Sequence, residues 1–129
     1  MSRSVYIDNV LQTSSLPYKL FSGTLLQSGT DNPIILNIHF NTLGFVPTIT
    51  RSNVGRYTID MTPAGANLDG KISCFTSNSI SGLTNFIQVD TASENGEIYI
   101  TTWTVNSGSI VYQDNILNGR IHLEIKLFN

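Results

Sequence analysis

The residues of this chain that could do chemistry are few, and their spacing draws no catalytic set together. His39 and His122 are the two histidines, and Cys74 is the single cysteine. A zinc site takes three or four ligands from Cys, His and carboxylates at short separations. Neither histidine has a second one at a ligand spacing or a cysteine beside it, so each reads as a wetted imidazole at an outward strand position. Cys74 falls inside the run Lys71 to Thr76, where a small buried hydrophobe is the expected role rather than a nucleophile. The carboxylates Asp60, Asp69, Asp90, Glu94 and Asp114 fall in or beside loops. Two of them facing each other would make a glycosidase pair, and several gathered together would hold calcium. No Asp-x-Asp-x-Asp spacing supports calcium, and turn formation accounts better for Asp69. Phosphate-loop, nucleophile-elbow and His-Glu-x-x-His patterns are absent from the sequence. Trp103 shares a strand face with Tyr99 and Val105. Core packing is the expectation for that ring, since a sugar-stacking platform would need it exposed. No catalytic, cofactor-binding or metal-binding residue is assigned, and no cofactor is expected.

Composition narrows the function classes further. Charged residues make up 12% of the chain, about half the usual share, and Ser, Thr, Asn and Gln fill the gap. A surface of that kind repels neighbours weakly and tolerates close packing in an assembly. The net charge of −2 and seven scattered Lys and Arg residues argue against nucleic-acid binding, which needs a clustered basic face. One cysteine excludes an intrachain disulfide and fits synthesis in a reducing cytoplasm. The opening residues carry no apolar core of signal-peptide type, and no run is long enough to cross a bilayer as a helix.

The elements that must position these residues are strands. Alternating apolar and polar runs are punctuated by Asp69-Gly70, Asn95-Gly96 and Ser107-Gly108, and period-two alternation means one buried and one wetted face. Expected strands run from Tyr18 to Gln27, with Gly23 as a bulge, then Ile34 to Asn41, Pro47 to Arg51 and Gly55 to Met61. They continue as Lys71 to Thr76, Leu83 to Val89, Glu97 to Val105 and Arg120 to Phe128. In the second of these, Leu36, Ile38 and Phe40 share one face and Asn37 and His39 the other. In the last, Ile121, Leu123, Ile125 and Leu127 point inward. About eight strands at intervals of roughly ten residues define an all-β, antiparallel two-sheet sandwich, jelly-roll-like or immunoglobulin-like. Residues 16–129 read as this single domain, and residues 1–15 as an N-terminal arm or docking strand. Its apolar residues Val5, Tyr6, Ile7, Val10 and Leu11 are candidate partner-binding positions, because β proteins readily join edge to edge.

Four stretches carry a resemblance. Leu26-Gln27-Ser28-Gly29-Thr30, Asn41-Thr42-Leu43-Gly44, the strand Arg51 to Tyr57 and the closing run Ile121 to Leu127 together resemble small β-rich virion proteins of tailed bacteriophages of Bacteroidetes hosts, the crAss-like phages among them. Within the motif, Gly44 and Gly55 suit turns that need positive φ, and Arg51 is expected to lay its stem near Tyr57 with its head in water. The resemblance implies a virion structural protein without enzymatic activity. It would be an auxiliary or decoration protein of the capsid, or a head-fibre component, made in the host cytoplasm and carried on the virion. Its implied partners are the major capsid protein or other virion proteins, with a homo-oligomer such as a trimer expected for a fibre and neither nucleic acid nor membrane involved. The alternative is a receptor- or carbohydrate-binding module of a fibre or tail, with Trp103, Tyr99, Tyr112 and the loop Asp90 to Gly96 as its contacts.

Overall fold

In a computed structural model of the chain, residues 2–7, 10–15, 17–65, 67–77 and 85–129 are described, the segments 2–7 and 10–15 by their backbone alone. Strands β1 (Ser2–Ile7) and β2 (Val10–Ser15) pair antiparallel with each other, Ile7 opposite Val10. Val5, Tyr6, Ile7, Val10 and Leu11 lie on these two strands, and their side chains are outside the described residues.

The chain then builds two sheets by crossing repeatedly between them. Strands β3 (Tyr18–Leu26) and β4 (Ile34–Asn41) start the first sheet, and the hairpin β5 (Thr48–Asn53) and β6 (Arg56–Asp60) starts the second. β7 (Ile72–Thr76) returns to the first sheet. The meander β8 (Asn85–Ala92), β9 (Glu97–Asn106) and β10 (Ser109–Tyr112) completes the second, and β11 (Asn118–Phe128) closes the first beside β3. The four-stranded sheet has the order β4-β3-β11-β7. In the five-stranded sheet β8 flanks one side of β9, while β6 and then β10 share its other side, with β5 beyond β6. The fold is therefore an antiparallel two-sheet β-sandwich. The helical pieces among the described residues are the 3-10 turns Thr62–Ala64 and Ser93–Asn95.

Alternation puts the core between the sheets. β11 turns Ile121, Leu123, Ile125 and Leu127 inward, and all four are buried, as their spacing predicts. They meet Phe21 and Leu25 of β3, Tyr57 and Ile59 of β6, and Ile98 and Ile100 of β9. Removing each aliphatic side chain of this set from water contributes roughly 1.5–3 kcal/mol. Gly23 lies at a register shift between β3 and β4, where a side chain would meet the Asn37 carbonyl oxygen at 2.7 Å. Only glycine lets those strands approach there.

Two expectations need correction. Ser109 to Tyr112 forms β10, a short strand that the sequence reading passed over because all four residues are exposed and alternate with nothing buried. β4 is an edge strand that keeps Ile34, Leu36, Ile38 and Phe40 out of the core: all four are exposed, Ile34 by 54% and Ile38 by 48%. Ile35 packs against the core instead. The register of β4 against β3 slips twice, so simple alternation along Ile34 to Asn41 does not assign its faces. Of the strand expected from Leu83, the first two residues lie outside the described residues, and the structure gives β8 from Asn85.

Candidate functional site

On the outer surface of the five-stranded sheet, aromatic and hydrogen-bonding side chains are lined up in order. β8 and β9 pair without a register break from Asn85 opposite Thr104 to Ala92 opposite Glu97. Outward residues on neighbouring strands therefore stand side by side as rungs. The first rung is Phe86, Trp103 and Tyr112, contributed by β8, β9 and β10. The second is Gln88, Thr101 and Arg56, and the third Asp90, Tyr99 and Thr58. Glu97 and Asp60 stand opposite each other at the far end. Apart from Phe86 and Asp60, these residues line an open depression of about 680 Å³.

Several groups on this face are held in place. Phe86 and Trp103 lie nearly parallel, with ring centroids 5.7 Å apart. The Arg56 guanidinium sits 4.5 Å over the Tyr112 ring. Gln88 Nε2 donates to Asp90 Oδ2 at 3.0 Å, and the Tyr99 hydroxyl donates to Glu97 Oε2 at 2.5 Å. That donation to Glu97, with burial and nearby negative charge adding to it, raises the Tyr99 hydroxyl pKa. Trp103, expected in the core, instead lines this depression half-buried, and Tyr99 and Val105 on the same face of β9 are exposed. The core-facing set of that strand is Ile98, Ile100 and Thr102. β9 thus keeps its period of two with the opposite phase buried. The Ile98/Ile100 pair was the available signal, because two isoleucines in one phase outweigh rings that tolerate water.

A polar clamp ties the two sheets. Asp114 takes a bidentate ion pair from Arg51, with Nη2 to Oδ2 at 2.8 Å and Nε to Oδ1 at 3.2 Å. The Tyr57 hydroxyl donates to Asp114 Oδ1 at 2.6 Å, and the Gly55 amide donates to the same oxygen at 3.0 Å. Gln27, just beyond β3, accepts from the Asn115 amide at 2.6 Å and donates to the Gly29 carbonyl at 2.7 Å. Its Oε1 lies 3.2 Å from the Tyr57 hydroxyl. The Arg51 head is thus enclosed rather than wet, since the ion pair is 18% and 11% exposed on its two sides. Burial pushes the Asp114 carboxyl up, but its bonds from Arg51, Tyr57 and Gly55 prevail and hold it below the usual carboxylate range. Burial together with the Asp114 carboxylate raises the Tyr57 hydroxyl. Gly44 and Gly55 both have positive φ, as their turns require. At Gly55 a side chain would also lie 2.3 Å from the Thr102 carbonyl oxygen. The motif stretches around Gln27 and Arg51 to Tyr57 are, in this structure, the parts of one clamp.

The other candidates stay dispersed. His39 and His122 do meet, stacked with ring centroids 5.8 Å apart across β3, and His122 Nε2 lies 3.0 Å from the Ser22 hydroxyl. Eighty-three positions of sequence separated them, so only strand order could have revealed the pair. Among the described residues no three His, Cys, Asp or Glu side chains gather as a metal site. Asp60 accepts from the Thr62 amide and hydroxyl, bonds that lower its pKa. Cys74 is half-buried against the core, and burial pushes its thiol up to about 12. A thiol in that state is a poor nucleophile.

Comparison with protein-family models, with curated proteins and with solved structures gives no match for this chain.

Proposed function

We propose that this chain is a bacteriophage virion structural protein that works by docking rather than by catalysis, as an auxiliary or decoration protein of the capsid or a head-fibre component. The observation that carries the reading is β4, which among the described residues ends its sheet and leaves Ile34, Leu36, Ile38 and Phe40 exposed. Folded β proteins normally shield such an edge, because it recruits another chain. The occupant is another protein of the particle, with the major capsid protein first. The low charge of the surface and the resemblance of the Gln27 and Arg51–Tyr57 stretches to phage virion proteins support the same reading. Antibodies against the purified chain are expected to label intact particles of the phage that encodes it. Particles that take up antibody to a head protein but none to this chain would exclude the reading.

The ordered rungs on the five-stranded sheet favour a second reading, a receptor- or carbohydrate-binding module of a fibre or tail. Trp103, Tyr99, Tyr112 and Asp90, four of its sequence-level candidates, all line one depression.

A further inference from the structure

We propose that the outer face of the five-stranded sheet binds a neutral oligosaccharide, its sugar rings packing against Trp103 and Tyr112 and its hydroxyls bonded by the next two rungs. This rests on the second reading above and names its ligand class. With strands about 4.8 Å apart, the three aromatic side chains form a row about 10 Å wide, in which Phe86 stacks on Trp103, Arg56 lies over Tyr112, and Trp103 and Tyr112 line the depression. A pyranose has one face of C–H bonds that packs on such a ring and an equatorial rim of hydroxyls that must be hydrogen-bonded when it leaves water. The neighbouring rungs supply that second requirement. Gln88, Thr101 and Arg56 offer amide, hydroxyl and guanidinium groups, and Asp90 adds a carboxylate acceptor about two residue pairs further along. The internal bonds from Gln88 to Asp90 and from Tyr99 to Glu97 fix these groups before any ligand arrives, which lowers the ordering cost of binding. An open depression lined by rings and convergent polar groups suits a chain that passes through rather than a small molecule that is enclosed.

Charge selects the class of sugar. Asp60, Asp90 and Glu97 stand on the rungs and Glu94 on the adjoining turn, against Arg56 as the one cation among the lining residues. The Arg56 head is already engaged over Tyr112. A uronate, sialate or sulfate would meet net negative potential there, and like-charge contacts are costly.

Trp103 is the only tryptophan, so its emission reports this site alone. The full chain titrated with neutral glucan, mannan, xylan and galactan oligosaccharides is expected to show a saturable change in Trp103 fluorescence with at least one of them, matched by calorimetry. Uronate-bearing and sulfated oligosaccharides of equal length are expected to bind at least about tenfold more weakly. Trp103→Ala is expected to weaken binding by about tenfold or more in calorimetry. Gln88→Ala, an exposed position that leaves folding intact, should weaken it less. Silence across all neutral glycans, or equal affinity for the acidic ones, overturns the inference. Particle labelling by antibody is independent of this outcome, so a failure here leaves the docking reading standing. Release of reducing ends during the titration would overturn the non-catalytic reading instead.

Discussion

The outer face of the five-stranded sheet and the β4 edge of the four-stranded sheet are both exposed and both rich in large side chains, yet they are different kinds of surface. On the first, β8 and β9 stay in register for their whole shared length, so each outward ring or amide has a neighbour at the same height. On the second, β4 slips twice against β3, and Ile34, Leu36, Ile38 and Phe40 end up as a ragged apolar rim. The first mixes rings with carboxylates, an amide and a guanidinium that already bond one another. The rim offers almost nothing but hydrocarbon. Unbroken pairing makes a platform that can read a ligand's shape and hydroxyls, whereas bulged pairing makes an edge suited to another chain.

The comparison breaks most completely if the clamp linking the sheets is lost. Gly55→Ala places a methyl against the Thr102 carbonyl at a residue with φ of 64°. It should cost more than about 3 kcal/mol and lower the melting temperature by roughly 10 °C or more. Glycan binding and particle docking should both fall, as followed by calorimetry and particle pull-down. Survival of docking alone would show that the four-stranded sheet keeps its edge without the clamp.

Asp114→Asn probes the same linkage more gently. It weakens the acceptor of Arg51 and Tyr57 and should cost about 2 kcal/mol, less than for a fully enclosed pair because some solvent reaches it. The sign with pH follows from the depressed carboxyl. Its contribution is complete above the unfolded-state value of about 4 and is lost as pH falls through the lower folded value. Melting curves from pH 7 to pH 2.5 should therefore show the parent losing its advantage over Asp114→Asn below about pH 4. A constant gap across that range would mean that the carboxylate charge does not hold the clamp.

The double change Ile38→Lys with Phe40→Lys separates the two surfaces. Both side chains are exposed, so folding should shift by no more than about 0.5 kcal/mol. Lysine is a residue that edge strands use to repel other chains. Particle docking should weaken about tenfold or more while oligosaccharide titrations stay unchanged. Equal losses in both assays would merge the two surfaces into one site.

How much of this was legible in the sequence divides along the same line. The inward face of β11 could be read residue by residue, because Ile121, Leu123, Ile125 and Leu127 occupy one phase and His122, Glu124 and Lys126 the other, although the strand starts at Asn118 rather than Arg120. β9 showed its period but not its phase, since Tyr99 and Trp103 tolerate either side of a sheet. β4 misled because its bulges break the alternation that sequence reading relies on. The rung Phe86–Trp103–Tyr112 was beyond reach, because it depends on which strands lie side by side and in what register. Trp103, Tyr99 and Tyr112 could be proposed as contacts, but Phe86, Gln88 and Arg56 could not be tied to them. The ion pair from Arg51 to Asp114 spans 63 positions and carries no local signature at all.

The smallest effect sharpens the platform itself. Arg56 sits over Tyr112 at an exposed site, where a cation over a ring is worth about 0.5–1 kcal/mol. A double-mutant cycle of Arg56→Ala and Tyr112→Ala, read by thermal melting, should give a coupling of about that size. The same cycle read by oligosaccharide affinity should give a smaller coupling, because a sugar on the Tyr112 ring competes with the guanidinium for its face. If the coupling grows on binding instead, Arg56 and Tyr112 grip the ligand jointly, and the sugar packs on Trp103 with a charged clasp beside it. Either result fixes where the aromatic row that a ligand can use ends.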